Sequence, residues 1–327
     1  MAAPLPLVRV VRSGFEESVH LGHVAVCDAR GRLVAWAGDP ARPVFARSSM
    51  KPVQGAVSLS AIGDELPHDL IAVMCASHNG EPVHVRAVKR LLRVGGAGPS
   101  ALRNPPGWPL DTRSMARAGR PSRLLHNCSG KHAGMVVASL RAGWDPQTYR
   151  GRGHPLQRRV LRAVLDATGL ERVAVGVDGC GVPVHGMPLA SVATLYARLG
   201  QPEAFGALAP WVRTATAAMR AHPYLVAGRE RTDTAVMRAA PGLLVKGGAE
   251  ALHCAAIPDA GLGVAVKAHD GGDRASGPAL IRALALLGVL SSSQLAQLDR
   301  FARRPVTGGG ERVGEVEAVF ELRGRRS

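Results

Sequence analysis

Hydrophobic and polar residues take up a period of two near the start of the chain. Residues 7–12 and 18–27 are rich in valine, and DARGR at 28–32 reads as a turn into LVAWAG, so three strands are expected there. From Ser48 the period lengthens, with Val53, Val57 and Leu59 falling on the turns of a helix. EPVHVRAVKRLLRV, 81–94, has one apolar face at helical spacing, whereas GGAGPSALRNPPGWPLD, 95–111, is rich in Gly and Pro and reads as a loop. Further helices are expected at 129–141, 154–168, 187–199 and near 203–221. Three strand-like runs follow, GLLVKGG, ALHCAAIP and GLGVAVKA. Two helices near 274–288 and 293–303 then precede a last strand-like run, EVEAVFEL, and RGRRS reads as a frayed basic tail.

Strands at both ends with helices between them do not alternate as a parallel βαβ fold does. They predict an α+β protein, its one antiparallel sheet assembled from the two chain ends and flanked by helices. A mostly helical lobe, roughly 52–225, packs beside that sheet. No repeat or low-complexity linker divides the chain, so 1–327 is expected to form a single catalytic unit with a sheet lobe and a helical lobe.

Composition narrows the class. With 327 residues and 46% apolar content the chain can bury a full core. Its five cysteines, Cys27, Cys75, Cys128, Cys180 and Cys254, are odd in number and scattered, which argues against a disulfide framework. MAAPLPLVRVVRSG lacks the charged and long apolar regions of an export signal, and no apolar run approaches the ~20 residues that span a bilayer. A soluble, reduced, cytoplasmic protein without a membrane partner is expected.

The net charge of +16 suggests nucleic acid, but the distribution of that charge argues against it. Only five of the 41 basic residues are lysines; the other 36 are arginines, dispersed without a basic block, and the twelve aromatics form no stacking pattern. No nucleic-acid partner is expected. The scarcity of lysine is itself informative, because arginine does not readily give up its proton and a retained lysine can serve as an amine. Lys51, Lys131, Lys246 and Lys267 all lie beside small, turn-forming or nucleophilic residues; Lys89 alone sits on an ordinary amphipathic helix pattern.

Ser48 and Lys51, in SSMK, are three apart and share a face if helical, so the amine can take the hydroxyl proton. At the start of the helix Ser48 would also lie near the positive end of its dipole. Ser77-His78-Asn79 has the form S-x-N, and Lys246-Gly247-Gly248, after a strand-like run, has the form K-x-G. That order of motifs is similar to serine β-lactamases and penicillin-binding proteins, where one lysine activates the nucleophile and a second Ser and Lys relay protons. Without an export signal, hydrolysis of a small amide suits the layout better than cell-wall chemistry.

A second constellation is HNCSGKH, with His126, Cys128, Lys131 and His132, and a third is VDGCG, with Asp178 and Cys180. Two cysteines in glycine-rich turns, with His126, His132 and His185 near in sequence, could ligate zinc. Cys27, Cys75 and Cys254 are expected as small buried apolar residues. Asp178 is either a partner for a substrate ammonium group or a turn former.

FARSSMKPVQ, CASHNGEP, HNCSGKHAGM, GVDGCGVPVHGMPL and LLVKGGAEAL, in this order, resemble the rhizobial-type (class 3) L-asparaginases, from about Val8 to Leu322. The resemblance implies a fold like serine β-lactamases and glutaminases, an asparagine substrate, and a homodimer. It implies Ser48 as nucleophile with Lys51 as its base, and Ser77 with Lys246 as a second pair. Cys128, Lys131 and Cys180 match zinc ligands, a role that needs a neutral lysine. Arg47 and Asp178 match contacts to the substrate carboxylate and ammonium, with Asn79 and His132 as neighbours. The expected activity is L-asparagine amidohydrolysis, the nearest alternative being another serine amidase or glutaminase of the same fold. A Ser–Lys peptidase or esterase of penicillin-binding type is a more distant alternative.

Overall fold

The computed structural model describes residues 3–324 and has two compact units. The first comprises Met1–Ser49, Gly186–Gln201 and Ala235–Ser327; the second comprises Met50–His185 and Pro202–Thr234. In chain order the strands are β1 (Leu5–Arg12), β2 (Phe15–Asp28), β3 (Leu33–Ala37), β4 (Pro43–Phe45), β5 (Ala174–Val177) and β6 (Pro183–Pro188). They continue with β7 (Leu244–Gly247), β8 (Leu252–Ile257), β9 (Leu262–Ala268), β10 (Arg303–Gly308) and β11 (Glu311–Ala318).

The first unit is built on an antiparallel sheet of order β10-β11-β1-β2-β9-β8-β7, with β3 paired to β2. The two chain ends meet in it: Val10 of β1 lies opposite Val316 of β11 on one side and Ser18 of β2 on the other. Gly263, Val264, Ala265 and Val266 of β9 are all buried, so this strand is covered on both faces. The helices Leu189–Leu199 and Asp273–Leu286 pack on it. Gly263 is required by that packing, since a Cβ there would lie 2.0 Å from the Ala193 carbonyl oxygen. The fold class is thus α+β with an antiparallel sheet flanked by helices.

The second unit is mostly helical. Its middle helix, Ser129–Arg141, buries every residue from Ser129 to Ser139, so it presents no hydrophilic face along most of its length. The helices Lys51–Ile62, His68–Met74, Pro82–Val94 and Pro155–Thr168 surround it. Of LIAVMCA, which leads into Ser77, the residues through Met74 belong to the second of these, and Gly130 admits that helix closely: a Cβ there would lie 2.0 Å from the Val73 carbonyl oxygen.

Several expectations are corrected. The chain after Ala302 forms the hairpin β10–β11, turned by Gly309 and Gly310 at φ 59° and 93°, so the last strand begins earlier than EVEAVFEL suggests. Residues 202–208 form a 3-10 turn broken at Gly206, and the helix begins only at Ala209. The short strands β4, β5 and β6 carry no readable alternation. Of the tail RGRRS, Arg323 is not frayed, as it bridges to Trp36; residues 325–327 lie outside those described. Among the described residues no helix is long and apolar enough to cross a membrane.

Candidate active site

In the first unit the Ser48 motif is a backbone device. Arg47–Met50 forms a 3-10 turn, and Arg47 enters it at φ 45°, a left-handed conformation that costs a non-glycine residue roughly 1–3 kcal/mol. The turn is held from within and from the core. The Ser49 amide and hydroxyl both donate to the Ala46 carbonyl, at 3.1 and 2.5 Å, and the buried Tyr196 phenol donates to the Ser49 carbonyl at 2.7 Å. Ser48 itself is half-buried.

The Lys246 motif belongs to the same unit and meets the same turn. Lys246, on β7 opposite Cys254, is fully buried, and its Nζ donates to the Gly247 carbonyl at 2.5 Å. Gly248 is where the two segments touch: a Cβ there would lie 3.3 Å from the Ala46 oxygen and 3.4 Å from the Ser49 nitrogen. The β7–β8 turn contains two more left-handed residues, Glu250 at φ 61° and Ala251 at φ 54°. Arg47, expected at the substrate carboxylate, has its guanidinium 3.9 Å from the Glu250 carboxylate.

In the second unit the expected residues gather into a buried cluster of amines and thiols. Lys51 opens the helix Lys51–Ile62, with Pro52 following as helix starts favour. It is fully buried, and its Nζ donates to the Ala76 carbonyl at 2.6 Å, to Ser77 Oγ at 2.8 Å and to Cys128 Sγ at 3.3 Å. Ser77 is therefore bonded to the lysine that the motif assigns to Ser48. Burial pulls the Lys51 amine below its ordinary range, against the raising influence of Cys128, so a neutral amine is within reach.

Lys131 is also buried and donates to Cys180 Sγ at 3.0 Å. A hydrogen bond with Cys180 first, then the positive charges of Lys51 and Lys131, hold the Cys128 thiol well below its usual range in spite of burial. Cys180 moves the other way, raised by that same bond and by burial. The two thiols therefore titrate as a coupled pair. Burial alone would depress Lys131, but Cys180, Cys128 and Asp178 outweigh it and hold its proton more tightly than usual. Cys180 lies 3.6 Å from the half-buried Asp178 carboxylate. His132 Nδ1 meets the Tyr149 hydroxyl at 2.6 Å, its Nε2 is buried without a hydrogen-bond partner, and burial pushes its pKa down to about 4.

The two sulfurs of Cys128 and Cys180 and the Lys131 amine are donors of a kind that zinc accepts. Among the described residues no three His, Cys, Asp or Glu side chains gather to hold a metal, so the lysine would have to count as a ligand. Lys131 would then have to lose the proton that the thiols help it keep, and metal uptake would release it. Cys27, Cys75 and Cys254 are fully buried, as small apolar residues are. A cavity of about 590 Å³ lined by Val57, Arg159, Phe205 and Trp211 shares no residue with the cluster.

Asn79 is buried with its amide engaged inside the protein. Its Nδ2 donates to Glu81 Oε1 and to the Arg229 carbonyl, at 3.2 and 2.9 Å, while its Oδ1 accepts from Arg231 at 3.1 Å. Glu81, Tyr224, Arg229 and Arg231 were not singled out from the sequence. Glu81 stands in the SHNGE motif, but nothing in the pattern marks partners about 150 residues away. Tyr196 was missed for the same reason.

The chain matches the family described as L-asparaginase II over residues 8–318. No curated protein matches it. Among solved structures it is similar to a β-lactamase from Mycobacterium bovis, at 17% identity and a TM-score of 0.46, over 82% of this chain and 94% of that one. It is similar also to the Bacillus subtilis glutaminase YbgJ, solved in covalent complex with 5-oxo-L-norleucine, at 11% identity and a TM-score of 0.39, over 83% and 89%. Likenesses this loose carry no argument about function, whereas the family match spans nearly the whole chain. The protein belongs to the L-asparaginase II family of hydrolases.

Proposed function

We propose that the protein hydrolyses the side-chain amide of L-asparagine to L-aspartate and ammonia through an acyl-enzyme on Ser48. The family supports the reaction. The observation that carries the Ser–Lys mechanism is the fully buried Lys51 amine, depressed by burial and opening the helix that continues from the Ser48 turn.

In this mechanism the Ser48 oxygen attacks the amide carbon as neutral Lys51 accepts its proton. Collapse of the tetrahedral adduct breaks the C–N bond, and the departing nitrogen takes a proton delivered through Ser77 and Lys246. Water then adds to the aspartyl ester, its proton moving back through the same groups, and the C–O bond to Ser48 breaks. Arg47 and Asp178 are assigned to the substrate carboxylate and ammonium, with His132 as a neighbour. Cys128, Lys131 and Cys180 would hold a zinc ion, whose charge would organise the pocket and help to retain substrate. The family resemblance implies a homodimer, and the sequence leads us to expect the cytoplasm as its setting.

Ammonia release by the purified chain, with L-asparagine and L-glutamine in parallel, is the test. Strong release from asparagine with little from glutamine is expected. Release mainly from glutamine would replace the substrate, and silence on both with zinc supplied would sink the assignment. Elemental analysis separately tests the metal: about one zinc per chain is expected, lost in Cys180→Ser.

A further inference from the structure

The Ser77–Glu81 segment crosses the second unit as irregular backbone, yet all five residues are buried. Loops are seldom buried unless their polar groups find partners, so the partners are informative. The amides of Ser77 and Asn79 donate to the Val226 and Ala227 carbonyls, at 2.9 and 2.8 Å. The Asn79 carbonyl receives the amides of Leu110 and Asp111, and the His78 amide donates to the Asn127 carbonyl.

The side chains converge on one carboxylate. Glu81 Oε1 accepts from the Asn79 amide and from the Arg229 backbone nitrogen, at 3.2 and 2.9 Å. Its Oε2 accepts from the Tyr224 phenol at 2.5 Å and lies 3.5 Å from the Arg229 guanidinium. Arg231 closes the ring, donating to the Ser77 carbonyl at 3.3 Å and to Asn79 Oδ1 at 3.1 Å. Gly228 is what lets the 224–231 segment come so near. It has φ 120°, and a Cβ there would lie 2.5 Å from Glu81 Oε1 and 2.7 Å from Asn79 Nδ2. Although burial opposes ionisation, these donors hold the Glu81 carboxyl below the usual range, so it is an anion at neutral pH.

We propose that Glu81 is a positioning residue: its carboxylate clamps Asn79 to the 224–231 segment and so holds the Ser77 hydroxyl at the Lys51 amine. It touches neither substrate nor reacting atoms and acts through Ser77. Its effect on turnover rests on the role given above to Ser77, whereas its effect on loop order does not. A misplacement of about 1 Å in such a group can cost on the order of 100-fold in rate.

Two readouts test the proposal. The first is kcat against KM on whichever amide the wild-type chain hydrolyses. Glu81→Ala should lower kcat by about 10- to 100-fold with KM changed by less than about threefold. Glu81→Gln, which keeps an acceptor for the Asn79 and Arg229 nitrogens, should recover to within about fivefold of wild type. Should Glu81→Ala fail to fold, Gly228→Ala strikes the same contacts with the carboxylate in place and should lower kcat similarly.

The second readout is hydrogen exchange at the Ser77, Asn79 and Arg229 amides, which needs no substrate. Protection should fall in Glu81→Ala and persist in Glu81→Gln. Wild-type turnover in folded Glu81→Ala or Gly228→Ala would overturn the proposal. So would a Glu81→Gln variant as impaired as Glu81→Ala, or unchanged protection in Glu81→Ala. A wild-type chain without amidase activity would instead remove the proposed function, leaving exchange to decide the clamp.

Discussion

The two units hold their chemistry by opposite means. In the first, the Ser48 and Lys246 segments are shaped by backbone: left-handed residues at Arg47, Glu250 and Ala251, a glycine at the point of approach, and carbonyls bonded from within. In the second, Lys51, Ser77, Cys128 and Lys131 lie on or beside helices and Cys180 lies in the turn between β5 and β6, and they are held by bonds among buried polar side chains. A nucleophile needs aim, which strained turns supply without altering its chemistry. An amine base needs a changed proton affinity, which burial supplies. The first arrangement should therefore answer to sterics and the second to charge.

The largest effects should separate the two on stability. Ser48→Ala and Lys51→Ala should each lower turnover by about 1,000-fold or more. Thermal unfolding should tell them apart. Loss of half-buried Ser48 leaves the melting temperature nearly unchanged, whereas loss of Lys51 removes the donor from Ala76, Ser77 and Cys128 and lowers it by several degrees. Equal melting temperatures would break the comparison.

Acid comes next. Burial first, then Arg152, pushes the pKa of His185 down to about 4, and burial also lowers His78 and His84; all three lie in the second unit. A folded-state pKa below the unfolded value means that the unfolded chain takes up the proton first. The stabilisation is present above pH ~6.5 and is lost as pH falls toward 4, on the order of 3 kcal/mol from His185. Hydrogen exchange followed through that window should show the second unit losing protection before the first, where His23 is lowered as well. Simultaneous loss would mean that one cooperative transition hides the difference.

Smaller changes should sharpen the backbone side. Gly248→Ala places a Cβ 3.3 Å from the Ala46 oxygen, forcing a shift of a few tenths of an ångström, and kcat should fall about tenfold. Tyr196→Phe removes the donor to the Ser49 carbonyl, about 1 kcal/mol, and should cost a fewfold in kcat with KM unchanged. If Tyr196→Phe cost more than Gly248→Ala, the turn would be held from the core and not by close approach.

Where periodicity runs long, the sequence discloses the fold. The helix expected at 129–141 is observed as Ser129–Arg141, and the three strand-like runs before residue 270 are β7, β8 and β9. The hairpin β10–β11 is obscured because Arg304, Pro305 and Thr307 give an edge strand little apolar alternation. At the site, motif order brought Lys51, Ser77 and the cysteines to notice through scarce residue types. It did not disclose that Lys51 bonds Ser77, 26 residues on, or that Glu81 answers to Tyr224 and Arg229. Such pairings arise from tertiary packing, which no local period encodes.

The distribution of lysine also has a consequence for handling the protein. Lys51, Lys131 and Lys246 are buried, and half-buried Lys267 has its Nζ bonded to the Glu250 and Ala268 carbonyls. Lys89 is the exposed lysine among the described residues, on a surface whose other positive groups are guanidinium. Among the described residues, amine-directed coupling to a resin or a dye should thus attach the folded chain chiefly through Lys89. Immobilisation that is random for most proteins would here be nearly oriented.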